Sequence, residues 1–575
     1  MKRKNIFNHI IASACLLLGF SSCGDFLQVE PQNEIILEKF WNEKADVDGI
    51  ILGCYAGMQS DNMLMRMMVW GEFRSDNIGR GQNLDKDASL ENVLKENLTA
   101  SNAYTTWDQF YNIINRCNNV IKYAPGVAKK DPGFSDSELR ADIAEVSALR
   151  DLCYFYLIRT FRDVPYSTTA YTDDDQVMDL PATSFDVVLD SLITDLEKVK
   201  DDAVQTYPSG TEAEALFQTS RITREAIHAM LCEMYLWKQD YQKCIQYADL
   251  VINAKKVQAE ERQRTSYNVA DYSKFGGYPL ISEGSYGSST TFGSAYNAIF
   301  GEGNSSESIL ELTFMPGDNM PSNGAVNLCY GFHNSGLPTL GYASVSSYVG
   351  DDVSSQVFNV FNNKYDARYY ENVLLGMMIG KYVYAESRID FSGSTPTVTF
   401  SRIYTEKKNK SNWILYRLTD IMLLKAEALT QLMSNAAELS NEDQNYKNAA
   451  FSLVTAVNKR SICQATLKDT LDPKKYTSKA DIENLVLEER HRELMFEGKR
   501  WYDLVRRSRR DGNTRYLSTQ VLQKFSSNTS AIQDKLAKMD AVFWPYNVDE
   551  LKVNKNLKQN PAFGSGENGN YDKTK

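Results

Sequence analysis

The chain has 575 residues, of which 43% are hydrophobic and 24% charged, the balance of a folded globular protein rather than a disordered one. Several modules or one large repeat-built domain are expected at this length. A formal net charge of −11 disfavours nucleic acid or an anionic membrane surface as partner.

Lys2, Arg3 and Lys4 precede an apolar run from Ile10 to Phe20. That run is too short to span a bilayer as a stable helix and reads as a secretory signal. Ser21 and Ser22 then lead into Cys23. A thiol at the first mature position fits the lipoprotein form of cleavage, in which the cysteine carries lipid. An ordinary signal peptide with an incidental cysteine is the alternative. The expected division is a leader over 1–22, a lipid tether over 23–40 and a folded domain over 41–575. No second apolar run approaches spanning length, so lipid is the expected anchor. Cys54, Cys117, Cys153, Cys232, Cys244, Cys329 and Cys463 show no C-x-x-C spacing and mostly take apolar positions.

Beyond the tether, helical periodicity dominates the chain. "DVDGIILGCYAGMQ", "WDQFYNIINRCNNVIKYA", "LRADIAEVSALRDLCYFYLIRTF" and "SFDVVLDSLITDLEKVK" repeat apolar residues at intervals of three and four. Ser184 is placed to cap the last of these. In "AIHAMLCEMYLWKQDYQKCIQYADLVI", Leu231, Cys232 and Tyr235, then Cys244, Ala248 and Val251, take the spacing of a tetratricopeptide helix pair. A further pair lies in "ILYRLTDIMLLKAEALTQLM" and "NYKNAAFSLVTAVNKR". Four such pairs predict a mostly helical scaffold with long loop-rich insertions and few short strands. Residues 276–350 form the largest insertion, with 13 Gly, 13 Ser, six Tyr and no Lys or Arg. Such Gly and Ser density favours loops, its aromatics argue for order, and "SILELTF" suggests a strand.

Catalytic signatures are lacking. His228, His333 and His491 share no ligand spacing, and the acidic run from Asp173 to Asp175 lacks the rest of a calcium loop. No G-x-S-x-G elbow or phosphate loop occurs, and "GRGQNL" is an incomplete glycine pattern. Carboxylate pairs are too common among 74 Asp and Glu to single out a glycoside hydrolase. No enzyme activity, cofactor or metal is expected. In "EERHRELMFEGKRWYDLVRR", helical spacing predicts the ion pairs Glu488–Arg492, Arg490–Glu493 and Asp503–Arg507 along a surface or semi-buried seam.

"ERHRELMFEGKRWYDLVRR" resembles the C-terminal signature of the SusD/RagB family of Bacteroidetes nutrient-binding lipoproteins. "ALRDLCYFYLIRTFRDVPY", "YRLTDIMLLKAEAL", "VNKRSICQA" and "FWPYNVDELKVNKNLKQNP" are similar to the family's other landmarks in the same order, with Arg162 where glycine is common. The resemblance implies a SusD-like fold of four tetratricopeptide-like pairs. It also implies an outer-membrane lipoprotein facing the exterior, partnered with a SusC-like TonB-dependent transporter, that binds oligosaccharides, or peptides in some branches, without cleaving them. A tetratricopeptide interaction scaffold is the reading outside the family.

Two stretches match the loops that such proteins use for ligand. In "WGEFRSDNIGRGQN", Arg74, Asp76, Asn77 and Arg80 are candidates to bond sugar hydroxyls, while Trp70 reads as core. In the long insertion, Tyr286, Tyr296, Tyr330 and Tyr342 are candidate stacking rings. Asn77 and Arg80 are the leading polar contacts. Without Lys or Arg, the insertion suits a neutral glycan.

Overall fold

The computed structural model describes residues 40–564 except 174, 209, 266–274, 285–287, 316–321, 335–336, 351–358, 362–363, 394–395, 406–407, 437 and 464–470. The leader, Cys23 and Tyr286 therefore lie outside the described residues.

Four helix pairs succeed one another along the chain. They are α1 (Lys44–Met58) with α3 (Asp108–Ala128), α4 (Asp136–Phe161) with α5 (Phe185–Val199), α6 (Arg224–Lys238) with α7 (Tyr241–Thr265), and α8 (Leu418–Leu432) with α9 (Asn441–Ser461). The short α2 (Asp61–Met68) stands between the members of the first pair. Local signals set the helix starts. Ser135 with Glu138 and Ser440 with Asp443 form reciprocal capping boxes at α4 and α9. Ser184 takes the capping position of α5 without a side-chain bond.

The turn between α6 and α7 is tight because Gln239 adopts the left-handed conformation. There Cys232 and Cys244 bring their sulfurs to 3.7 Å, and Tyr235 stacks on Tyr247. Small side chains at the crossing let the helices approach, as their spacing predicts. At the end of α4, Arg162 has a φ of 71°. A side chain is strained there, and Arg162 is held by pairing with Asp163 and Asp540.

The insertion is more regular than its composition suggests. β2 (Ser308–Leu312) is buried throughout and pairs antiparallel with β6 (Trp413–Arg417), which leads directly into α8. The three-residue strands β1 (Ile78–Arg80) and β3 (Ala343–Val345) form a ribbon, and β4 (Tyr384–Asp390) pairs with β5 (Thr397–Ile403). The fold closes with α10 (Lys479–Leu494) and α11 (Arg500–Asp511), which pack against the last helix pair and the turn at Val69–Phe73 respectively. No described helix is long and apolar enough to cross a membrane.

Candidate functional site

The two stretches singled out in the sequence meet in the β1–β3 ribbon. Ile78 stands opposite Val345, Gly79 opposite Ser344 and Arg80 opposite Ala343. The pairing extends past both ends: Gly81 N donates to Tyr342 O at 2.9 Å, and Ser346 N donates to Asn77 O at 2.8 Å. Side chains add to it, Ser344 Oγ donating to Arg80 O and Asn83 Nδ2 to Leu340 O. Glycine is required for this approach. A Cβ on Gly81 would stand 2.3 Å from Gly341 O, and one on Gly79 would stand 2.9 Å from Ser344 Oγ. The incomplete "GRGQ" pattern therefore serves close backbone packing.

At the ribbon's Arg80 end, Arg80 and Gln82 are exposed, and Asn83 and Tyr342 are half-buried. The Arg80 guanidinium meets Glu91 only at 3.8 Å, so it keeps donors for a ligand. The ring of Tyr342 rests on the core, and its phenol is pushed up by burial and then by the charge of Asp87. The backbones at Arg80 and Tyr342 are brought to the same end of the ribbon. A guanidinium, two amides and a partly open ring at one end of the ribbon offer polar contacts on one face and a stacking surface on the other.

The other predicted residues take different places. Asn77 is fully buried: its Nδ2 donates to Glu72 at 2.7 Å, and its Oδ1 accepts from His491 Nε2. Tyr296 stacks on Tyr384 inside the core and donates its hydroxyl to backbone carbonyls of Gly380 and Tyr384. Tyr330 is fully buried, with its hydroxyl on Phe496 O at 3.0 Å. No ring face of Tyr296 or Tyr330 is open to a ligand, so their assignment as stacking rings is corrected to core packing. Asn77 likewise becomes an internal strut. The signal was present in "SAYNAIF", where Tyr296, Ile299 and Phe300 repeat at three and four like a buried helical face.

Arg74 and Asp76 are also internal. Arg74 lies over the Trp501 ring, pairs with Glu96 at 2.7 Å and donates to Ala541 O and Val542 O. Asp76 accepts two hydrogen bonds from Arg500. Trp70 is core, as expected, with Nε1 donating to Tyr104 O. Glu72 receives the backbone N–H groups of Phe496 and Gly498 at 3.1 Å. Burial nevertheless pushes its carboxyl up to about 7, against the bond from Asn77.

Most of the charged signature is buried, deeper than the surface or semi-buried seam expected, with Glu488 left at the surface. Glu493 accepts from Arg368, Arg417 and Arg460, drawn from three separate elements. Arg490 pairs with Asp503 and Asp420, each at 2.9 Å, rather than with Glu493. Arg507 reaches Asp511 and Glu483 instead of Asp503. Only Glu488–Arg492 forms among the three helical pairs predicted, at 4.0 Å, and Arg492 binds Glu489 more closely at 2.9 Å. Carboxylates satisfied this thoroughly by guanidinium groups hold the fold together and are poorly placed for acid–base chemistry.

The model of the SusD family matches residues 265–563, and a family model described as "Starch-binding associating with outer membrane" matches residues 25–236. The chain belongs to the SusD family. It is similar to SusD-like protein P38 of Formosa agariphila, with 26% identity over 97% of this chain and 99% of that one. SusD-like protein P2 of the same organism is 23% identical over 85% of this chain and 89% of its own length. Among solved structures, a SusD superfamily protein of Bacteroides thetaiotaomicron has a TM-score of 0.60 at 21% identity, covering 91% of this chain and 99% of that one. A protein described as a laminarin binding SusD-like protein has a TM-score of 0.59 at 17% identity, covering 91% of this chain and all of the other.

Proposed function

We propose that this protein captures neutral oligosaccharides at the outer membrane and hands them to a SusC-like TonB-dependent transporter, held in place by lipid on Cys23. One observation carries the ligand reading. The β1–β3 ribbon brings the two stretches together, so that the exposed Arg80 and Gln82 and the half-buried Asn83 and Tyr342 all stand at one end of it. Sugar rings present C–H faces to an aromatic ring and hydroxyls to amide and guanidinium groups. The name of the second family model and the laminarin-binding structural neighbour support the same class of ligand. The protein binds and does not cleave.

A neutral-glycan panel run beside a peptide pool tests this reading, with titration calorimetry on the best binder. The expected result is saccharide binding weakened about three- to tenfold by Tyr342→Ala, the loss of one stacking ring. Arg80→Ala is expected to weaken it as well. Binding of peptides alone, or of a glycan with full affinity by both variants, overturns the proposal.

A further inference from the structure

A groove of about 510 Å³ lies away from the ribbon and shares no residue with it. It opens between the start of α3, the loop after α4 and the C-terminal segment around α12 (Val548–Val553). Trp107, Tyr111, Tyr154 and Tyr171 line it. Its walls are stitched to one another. Asn115 Nδ2 donates to Tyr171 O at 2.9 Å, and Asn115 Oδ1 accepts from Tyr171 N at 2.8 Å. Asn118 donates to Thr169 O, and the hydroxyls of Tyr111 and Tyr154 donate to Pro165 O and Ser167 O. On the far side, Asn554 Nδ2 donates to Leu180 O at 2.7 Å. Such a groove is preformed, so an occupant loses little affinity to ordering it.

Charge and exposed apolar surface together define what fits. Asp108, Asp173, Asp179 and Glu550 line the groove, whereas no Lys, Arg or His does. Asp108 meets Arg66 only at 4.0 Å. Burial raises the Glu550 carboxyl, against a bond from Trp107, and the charges of Asp108 and Asp549 raise it further. A cation placed among these groups relieves that repulsion and faces the aromatic lining. On the same rim, Met178 is 51% exposed and Val553 74%, and the adjacent Val177 is 74% exposed. Large aliphatic side chains gathered in one exposed patch are what a protein contact covers. A saccharide leaves them in water.

We propose that this groove docks a partner protein, through a segment that sets a Lys or Arg beside apolar side chains. The cation enters between Asp108 and Glu550 against the rings, and the aliphatic neighbours cover Met178 and Val553. Asp173, whose acidic run lacks a calcium-loop pattern in sequence, becomes part of the docking rim.

The probes are two peptides, Ac-Leu-Arg-Leu-Arg-Leu-NH₂ and Ac-Leu-Glu-Leu-Glu-Leu-NH₂, titrated calorimetrically into the mature chain at low and high salt. The arginine peptide is expected to bind, and to bind less tightly as salt rises; the glutamate peptide is not. Asp108→Asn combined with Glu550→Gln is expected to weaken the arginine peptide three- to tenfold, and Met178→Ser combined with Val553→Ser to weaken it comparably. Circular dichroism checks that both double variants fold. Tyr342→Ala should leave this binding unchanged, which separates it from the glycan reading. Equal binding of the two peptides, unchanged affinity in both double variants, or displacement of the arginine peptide by a neutral oligosaccharide each overturns the proposal.

Discussion

Asp76 and Arg500, 424 residues apart in the chain, meet in a bidentate pair with both hydrogen bonds at 2.8 Å. The pair joins the segment that leads into β1 to the first turn of α11, and both side chains are buried.

Removing one partner of such a pair leaves an uncompensated buried charge, at a cost of about 3–5 kcal/mol. Asp76→Asn is expected to lower the urea unfolding midpoint accordingly. Burial alone would raise the Asp76 carboxyl, but the Arg500 guanidinium holds it well below the usual carboxylate range. The stabilisation is therefore present above the ordinary carboxylate pKa and is lost as pH falls through the depressed folded value. An unfolding midpoint that matches the parent at pH 7 would show the pair to be dispensable.

The tyrosines should separate into two classes. Tyr296→Ala and Tyr330→Ala remove buried rings and are expected to cost about 3–5 kcal/mol of stability. Tyr342→Ala acts at the ribbon's edge, where it should reduce glycan affinity while moving the melting temperature little. Differential scanning fluorimetry and calorimetric titration on the three variants check the contrast. Equal destabilisation by all three would place Tyr342 in the core as well.

Two histidines should remain neutral well below their usual range. Burial pulls the imidazole of His491 down to about 3 and that of His228 to about 4. Their ring resonances are expected not to titrate between pH 8 and pH 5, as NMR can read. Because the unfolded chain protonates near pH 6.5, their contribution is present above that value and declines as pH falls toward the folded values. Glu72 runs the other way. Its folded carboxyl, raised to about 7, favours the folded state increasingly as pH falls from 7 toward 4.5. Glu72→Gln should accordingly lose more stability than the parent between pH 7 and pH 5.

Lipid attachment and transporter pairing make one prediction in cells. Cys23→Ala is expected to leave the membrane fraction, because several acyl chains anchor firmly where none remains in the variant. The parent, solubilised in mild detergent, should bring down a large β-barrel protein. Membrane retention of the variant, or recovery of the parent alone, counts against the respective half.

How much of this was legible in the sequence depends on the range of each interaction. The helix pairs were, because a buried helical face writes itself locally at intervals of three and four; Leu231, Cys232, Cys244 and Ala248 are all buried as their spacing predicts. The ion pairs mostly were not. Helical spacing offered Arg490 a partner at Glu493, yet a guanidinium can reach across elements, and Arg490 turned to Asp420, 70 residues away. Tyrosine was ambiguous for a different reason. Its ring serves a core and a sugar equally well, and only the fold separates Tyr330 from Tyr342. The placing of Arg80 and Tyr342 at one end of the ribbon depended on a strand pairing across more than 250 residues, for which the only local trace was Gly79 and Gly81.

The ribbon has one mechanical implication. Its two strands are bonded to each other beyond both ends of the pairing, and the loop leading into it is fixed to α10 and α11 through His491 and Arg500. A surface riveted to its frame in this way is ill suited to folding over a ligand like a flap. If the rim takes sugar as proposed, a closing movement would carry it as one rigid face rather than fold a flap over the ligand.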